Sequence, residues 1–210
     1  MTDQVLQVVH VIDDDDAFRR SLVFLLESAG WAVVAHRSAE VFLNACSHPP
    51  EALACLVLDL RMPGISGLEL QQILQSRGWQ VPIVFITGHG EVDAAVHALK
   101  SGANDFLEKP FKDQALLDAV HAAAKQGAEQ RALASRRCQA EELLGRLTPR
   151  ERQVARLVAL GLPNKLVARE LDISEKTVHI HRQHVMEKTD VNSAAELARL
   201  MLRADPGALD

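Results

Sequence analysis

Five polar positions could do chemistry as a set: Asp13 and Asp14 within a run of aspartates at positions 13–16, then Asp59, Thr87 and Lys109. Each follows a short apolar run of the kind that forms a buried strand. If those strands lie parallel, their carboxyl ends share one edge of a sheet and the polar side chains converge there. Crowded carboxylates repel one another, so ionising all of them is costly unless a hard divalent cation neutralises the site, and oxygen donors of this kind suit Mg²⁺. The fitting reaction is phosphoryl transfer onto a carboxylate. Asp59 is the expected nucleophile, the metal would bridge the incoming phosphoryl oxygens and Asp14, and Lys109 would neutralise another oxygen. A carboxylate is already ionised, so no external base is needed. Without these companions, the aspartate run alone would read as a solvated loop.

Those residues need a scaffold, and the first 125 residues describe one. Segments 8–12, 32–35, 53–58, 83–86 and 105–107 read as strands, the central ones apolar throughout. Between them, Phe18, Leu22, Leu25, Leu26 and Ala29 fall on one helical face, and similar stripes occur near 39–45, 67–76, 91–101 and 113–125. Five strand–helix repeats predict an α/β domain with a doubly wound five-stranded parallel sheet. Residues 128–144 hold no Gly or Pro, so the last helix is expected to continue as a connector about 26 Å long. Either a short coiled coil across a dimer or a solvated spacer fits it, fewer than three heptads being available.

Beyond Gly145 the pattern is wholly helical. Thr148, Pro149 and Glu151 are an N-cap, a first-position proline and an acidic third position, and Val154, Leu157 and Val158 share the face of the helix they start. Gly161 ends it. A second helix is expected from about Asn164 to Glu170, a third from the Ser174 cap to about Lys188, and a fourth from Ser193. Two short helices joined by the turn at 171–174 outline a helix-turn-helix, giving a small all-α second domain.

Composition agrees with this division. A chain of 210 residues, 48% apolar and 24% charged, is long enough for one to two globular domains and is not disordered. Residues 1–125 carry 9 Lys+Arg against 16 Asp+Glu, whereas residues 143–203 carry 11 against 7. Only the second piece has the charge to approach nucleic acid. Cys46, Cys55 and Cys138 lack C-x-x-C spacing, which argues against a disulfide framework or a zinc site. Gln7, His10 and the aspartate run interrupt the N-terminal apolar windows, so neither a signal peptide nor a membrane span fits; a cytoplasmic protein is expected.

The stretches V-I-D-D, L-V-L-D-L-R-M-P-G, I-T-G-H-G and F-L-E-K-P-F resemble the signature of the CheY-like receiver domain of two-component response regulators, over about residues 5–125. The resemblance implies a flavodoxin-like fold and no enzyme in the ordinary sense. It implies phosphate received on Asp59 from a histidine kinase, Mg²⁺ bound by Asp14, Asp59 and the backbone carbonyl of Arg61, and Asp13 supporting the metal through water. It further implies a cis peptide between Lys109 and Pro110. Thr87 and Phe106 match the family's switch pair, in which the Thr87 hydroxyl donates to the phosphoryl group and the Phe106 ring moves into the space vacated. The bland alternative is that Thr87 caps the following turn and Phe106 is core.

The stretches L-T-P-R-E-R-Q-V, G-L-P-N-K-L-V-A-R-E-L-D-I-S-E-K-T-V-H-I-H-R and V-M-E-K resemble the LuxR-type helix-turn-helix of the NarL/FixJ group. Domains are then expected at 5–125 (receiver), 126–144 (helical linker) and 145–205 (DNA-binding). Val178, His181 and Val185 would be the buried stripe of the third helix. Lys176, His179, Ile180 and Gln183 would face the major groove, with Lys165, Thr177 and Lys188 completing the DNA contacts. This groove stripe is poorer in Lys and Arg than the family's, and Thr189 stands where Leu is usual. Expected partners are the kinase, an inverted repeat in double-stranded DNA, RNA polymerase and, on phosphorylation, a second copy of the chain, with no membrane. A haloacid-dehalogenase-like phosphatase also uses Asp and Mg²⁺. That family puts a second acid two residues past the nucleophile, where this chain has Arg61. A receiver serving only protein contacts would be expected to have lost Asp59, Thr87 or Lys109, and none is missing.

Overall fold

A computed structural model describes residues 7–50, 52–88 and 102–210, and the chain divides into two compact units, residues 1–130 and 131–210. In the first, strands β1 (Val8–Ile12), β2 (Ala32–His36), β3 (Leu53–Asp59), β4 (Ile83–Thr87) and β5 (Asp105–Glu108) form one parallel sheet in the order β2-β1-β3-β4-β5. Each expected strand is present, four of the five running one residue further toward the polar end than the apolar run alone indicates. All seven residues of β3 are buried. Its side chains alternate between two cores: Cys55 and Val57 join Val9, Val11, Leu22, Leu26, Leu116 and Val120, while Leu56 and Leu58 join Ile12, Phe42, Leu70, Leu74 and Phe85. Each fully buried Leu or Phe contributes about 1.5–3 kcal/mol, so the central strand is the firmest support in the unit.

Helices α1 (Asp16–Ser28), α2 (Ala39–Ala45) and α3 (Gly67–Ser76) start at side-chain caps from Asp15, Ser38 and Ser66. Leu22 and Leu26 are buried on α1, whereas Ala29, expected on the same face, is its exposed C-cap. The helical stripe at 91–101 lies outside the described residues. Helix α4 (Asp113–Gly145) runs 33 residues without a break, as the absence of breakers after residue 128 predicted. The position that divides the two units lies within it. Residues 132–139 of α4 are exposed all round, Cys138 among them, while Cys55 is buried in β3.

The second unit contains α5 (Pro149–Ala159), α6 (Asn164–Leu171), α7 (Glu175–Thr189) and α8 (Ala194–Ala204). Thr148 and Glu151 form a reciprocal capping box at the start of α5. Asp172 and Asp190 take left-handed conformations, φ 52° and 53°, to end α6 and α7. Aspartate tolerates that region better than most residues, which permits the tight turn between the two helices. Val154, Val158, Val167, Val178, Val185 and Leu197 make the core. Among the described residues no helix is long and apolar enough to cross a membrane.

Candidate functional site

The parallel register puts Asp13, Asp59, Thr87 and Lys109 at or just beyond the carboxyl ends of β1, β3, β4 and β5. The Lys109 ammonium lies 2.8 Å from Asp59 Oδ1 and 3.2 Å from Asp13 Oδ2. It also sits 4.1 Å from the centre of the Phe18 ring, whose π face favours a cation there. Asp59 is 7% exposed and Asp13 1%, while Asp14 is open to solvent. The Arg61 backbone N–H donates to Asp59 Oδ2 at 3.1 Å. Thr87 is buried, and its hydroxyl donates to the Gly88 carbonyl at 3.3 Å. Phe106 pairs in register with Phe85 and is half-buried. The Lys109–Pro110 peptide is cis.

Asp13, Asp59 and Lys109 all hold their protons more tightly than usual. Burial pushes the Asp59 carboxyl up, and Asp13 and Asp14 push it further, against the partial opposition of Lys109. Burial likewise raises Asp13. Burial alone would lower Lys109, but hydrogen bonding and charge from Asp59 and Asp13 override it, and its pKa rises. The two acids rise chiefly through burial, with smaller pushes from neighbouring carboxylates, and the base rises through those same carboxylates; in both cases additional positive charge at the cluster is favoured. The oxygen donor set fits Mg²⁺ for that reason. Among the described residues no three His, Cys, Asp or Glu side chains are placed to hold a metal alone, but Mg²⁺ ordinarily takes one or two carboxylates, keeping waters and phosphate oxygens for the rest.

The other two aspartates of the run serve structure. Asp15 accepts the Ala17 and Phe18 amides as the cap of α1, which holds its carboxyl below the ordinary range. Asp16 is exposed and pairs with Arg19 and Arg20. Arg19 also reaches back to the Asp13 carbonyl at 2.7 Å, bracing the acidic turn. Two further positions shape the site. Gly67, the first residue of α3, approaches the Asp59 carbonyl so closely that an added Cβ would collide with it, and it would also press on Phe85 and Leu60 Cα at 3.0 and 3.1 Å. Glu40, in the first turn of α2, accepts the Ile65 amide at 2.9 Å, and bonds from Ser38 and Ile65 keep its carboxyl below the usual range. Neither Gly67 nor Glu40 carries a sequence signal beyond its residue type.

On α7, Val178 and Val185 are buried, and Lys176, His179, Ile180 and Gln183 are exposed as a stripe. His181 is half-buried, and its Nδ1 is enclosed without a hydrogen-bond partner. Gln183 donates to Glu187 at 2.9 Å, which orients its carboxamide. Lys165 is exposed near the start of α6, and Thr177 is taken up by the Ser174 cap. Lys188, expected among the DNA contacts, has its ammonium on both Glu151 oxygens, at 2.8 and 2.7 Å. Glu151 is 3% exposed, so this pair helps fix α7 against α5. Thr189, in place of a Leu, is buried and returns its hydroxyl to the Val185 carbonyl at 2.7 Å.

A 2-1-3-4-5 parallel sheet bearing an acid–lysine cluster at its carboxyl edge, joined in one chain to a helix-turn-helix unit, defines a two-module signalling protein: one module for a phosphoryl group, one for DNA. Family comparison agrees. Residues 9–121 match the response regulator receiver domain and residues 145–201 the luxR family of bacterial regulatory proteins. The chain is 48% identical to the transcriptional regulatory protein FixJ of Azorhizobium caulinodans, over 96% of this chain and 95% of that protein. It is 47% identical to nodulation protein W of Bradyrhizobium diazoefficiens, over 92% and 84%. Among solved structures, the response regulator StyR matches with a TM-score of 0.83 at 46% identity over 92% of this chain and 97% of that one. Full-length FixJ from B. japonicum matches with a TM-score of 0.59 at 43% identity, over 94% and 97%. The chain belongs to the NarL/FixJ group of two-component response regulators, transcription regulators with a receiver and a LuxR-type DNA-binding domain, not enzymes. Such domains imply a histidine kinase and DNA as partners, and receivers as a family generally bind Mg²⁺ at the phosphorylation site.

Proposed function

We propose that Asp59 accepts the phosphoryl group from the phosphohistidine of a partner kinase and that the resulting acyl phosphate controls DNA binding by the second unit. The observation that carries this is the buried Asp59 carboxylate held 2.8 Å from Lys109. An Asp59 oxygen attacks phosphorus, the P–N bond breaks, and the imidazole nitrogen leaves with the electron pair. Lys109, already between Asp59 and Asp13, neutralises a phosphoryl oxygen as charge builds. Asp14, Asp59 and the Arg61 carbonyl would hold Mg²⁺, with Asp13 supporting it through water; the ion supplies the positive charge that the carboxylate cluster lacks.

The Thr87 hydroxyl then exchanges the Gly88 carbonyl for a phosphoryl oxygen, and Phe106 turns inward. Two charge-assisted hydrogen bonds at about 1.5–3 kcal/mol each are of the size needed to move a two-state equilibrium from 1:99 to 99:1, about 5.5 kcal/mol. The active form is a homodimer that reads an inverted repeat, using Lys176, His179, Ile180 and Gln183 on base edges and Lys165 on phosphate, and acts on RNA polymerase in the cytoplasm. Domains run 5–125, 126–144 and 145–205. Incubation with a small phosphodonor and Mg²⁺, followed by intact-mass measurement and ultracentrifugation, tests the reading: Asp59→Asn should take no label, and labelled Thr87→Ala should stay monomeric. A labelled Asp59→Asn protein would refute the acceptor, and a full shift of labelled Thr87→Ala to dimer would refute the relay.

A further inference from the structure

We infer that Glu40 is a positioning residue for the phosphoacceptor site, its carboxylate tying down from α2 the β3–α3 loop that carries the Arg61 carbonyl; this rests on the reading of Asp59 and its metal given above. Glu40 and the loop are 25 residues apart in sequence, yet the Ile65 amide donates to Glu40 Oε1 at 2.9 Å. Gly64, next to Ile65, has φ +78°, and a Cβ placed there would collide with the same Glu40 oxygen. A side chain at position 64 would therefore displace the flexible Glu40 carboxylate, while the positive φ already favours glycine there. The hydrogen bond carries the contact, and the close approach of Gly64 is consistent with it.

Both ends of the tether are firm. Glu40 stands on a helix capped by Ser38 and seated by the fully buried Phe42. On the loop side, the Arg61 amide donates to Asp59 Oδ2 at 3.1 Å, and the Gly67 amide donates to the Leu60 carbonyl at 3.0 Å. The stretch 61–66 thus spans a bond to the acceptor carboxylate and a bond to Glu40. Fixing Ile65 restricts where the Arg61 carbonyl can point, and groups that orient a metal ligand govern affinity although they never touch the ion. An acid in the first turn of a helix also favours the helix dipole, but that role would not protect the Ile65 amide.

The test compares the full-length parent with Glu40→Ala, Glu40→Gln and Gly64→Ala, reading Ile65 amide hydrogen exchange by NMR and Mg²⁺ binding to the unphosphorylated protein by calorimetry. Glu40→Ala should speed Ile65 exchange and weaken Mg²⁺ binding by about tenfold, the scale found when a supporting partner of a metal ligand is removed. Glu40→Gln keeps an oxygen acceptor and should stay close to the parent. Gly64→Ala retains Glu40 but blocks its approach and should reproduce the loss, which keeps the test decisive if Glu40→Ala folds poorly. Faster Ile65 exchange with parent-like Mg²⁺ affinity would overturn the inference alone. A parent that neither binds Mg²⁺ nor takes a phosphoryl group on Asp59 would overturn the site reading and this inference together.

Discussion

Asp59 and Glu151 are both buried acids paired with a lysine, one in each unit, and their protons behave in opposite ways. Burial pushes both carboxyls up. At Glu151, however, the bonds from Lys188 and from the Thr148 cap outweigh burial and take its pKa down to about 2. At Asp59 the lysine is shared with Asp13, and the two neighbouring aspartates leave the net shift upward. Burial raises both, and the number of cations and N–H donors per carboxylate decides whether it is outweighed. A fully answered carboxylate holds helices together, and an under-answered one is poised to recruit charge from outside.

The sharpest break in that comparison comes from removing the negative charge at each place. Asp59→Asn should abolish labelling by a small phosphodonor, yet leave the receiver unit no less stable toward urea, since Lys109 keeps Asp13 and one repulsion is gone. A clear loss of receiver stability in that variant would mean Asp59 is as satisfied as Glu151. Acid should separate the units next. His10 and His36 stack on neighbouring strands with their nitrogens 2.9 Å apart, Phe42 against both rings. Burial and the His36 charge lower His10 from 6.5 to about 4, and burial lowers His36. A depressed histidine contributes stability that is complete above the unfolded pKa of 6.5 and is lost as pH falls toward 4. Across that window His10 alone should contribute up to about 3.5 kcal/mol, each pKa unit being worth about 1.4 kcal/mol, and His36 acts in the same direction. The difference in urea stability between the parent and a His10→Val, His36→Phe double variant isolates the effect, and a difference independent of pH would refute it. The Glu151 contribution should persist until pH drops below 4.5.

Glu151→Gln should cost the second unit about 2 kcal/mol, the range for a hydrogen bond to a charged group. An unchanged urea midpoint for that unit would show that Lys188 finds water as good a partner. Saturating Mg²⁺ should stabilise only the receiver, by about 1.4 kcal/mol at ten times its dissociation constant, and Asp14→Ala should remove most of that gain; an equal rise in both units would point to nonspecific binding. The smallest expected effect is electrostatic. Lys165→Ala should reduce the salt slope of DNA binding by about one per protomer, whereas Lys188→Ala should destabilise the fold without altering the slope. Equal slopes for these two variants would return Lys188 to the DNA surface.

Strand ends were legible because β-branched runs stop at a polar residue, and in a parallel sheet those stops fall on one edge. Asp13, Asp59, Thr87 and Lys109 were therefore readable as a group from periodicity alone. What escaped was any partnership whose spacing depends on packing. Lys188 reads in sequence as a phosphate contact, and nothing in its spacing announces that α5 delivers Glu151 to it. The His10–His36 pair exists only through the β1–β2 register, which sets His10 opposite Val34 and Ile12 opposite His36. Glu40, an acid in the first turn of a short helix, gives no sign of the loop it reaches. The caps at Thr148, Ser174 and Ser193 lie at the opposite extreme, since both partners sit within three residues and local sequence suffices.

Gly67 carries no charge, donates no proton and touches no phosphoryl group, yet substitution at its codon should be tolerated no better than at that of Asp59. Any methyl placed there meets the Asp59 carbonyl oxygen on one side and Leu60 Cα and Phe85 on the others, and backbone atoms cannot step aside as a flexible side chain can. Asp59 would be displaced by a neighbour eight positions away. Among natural variants of this chain, the tolerance map around the acceptor should therefore show two intolerant positions of contrary character: one that must keep its carboxylate, and one that must keep nothing at all.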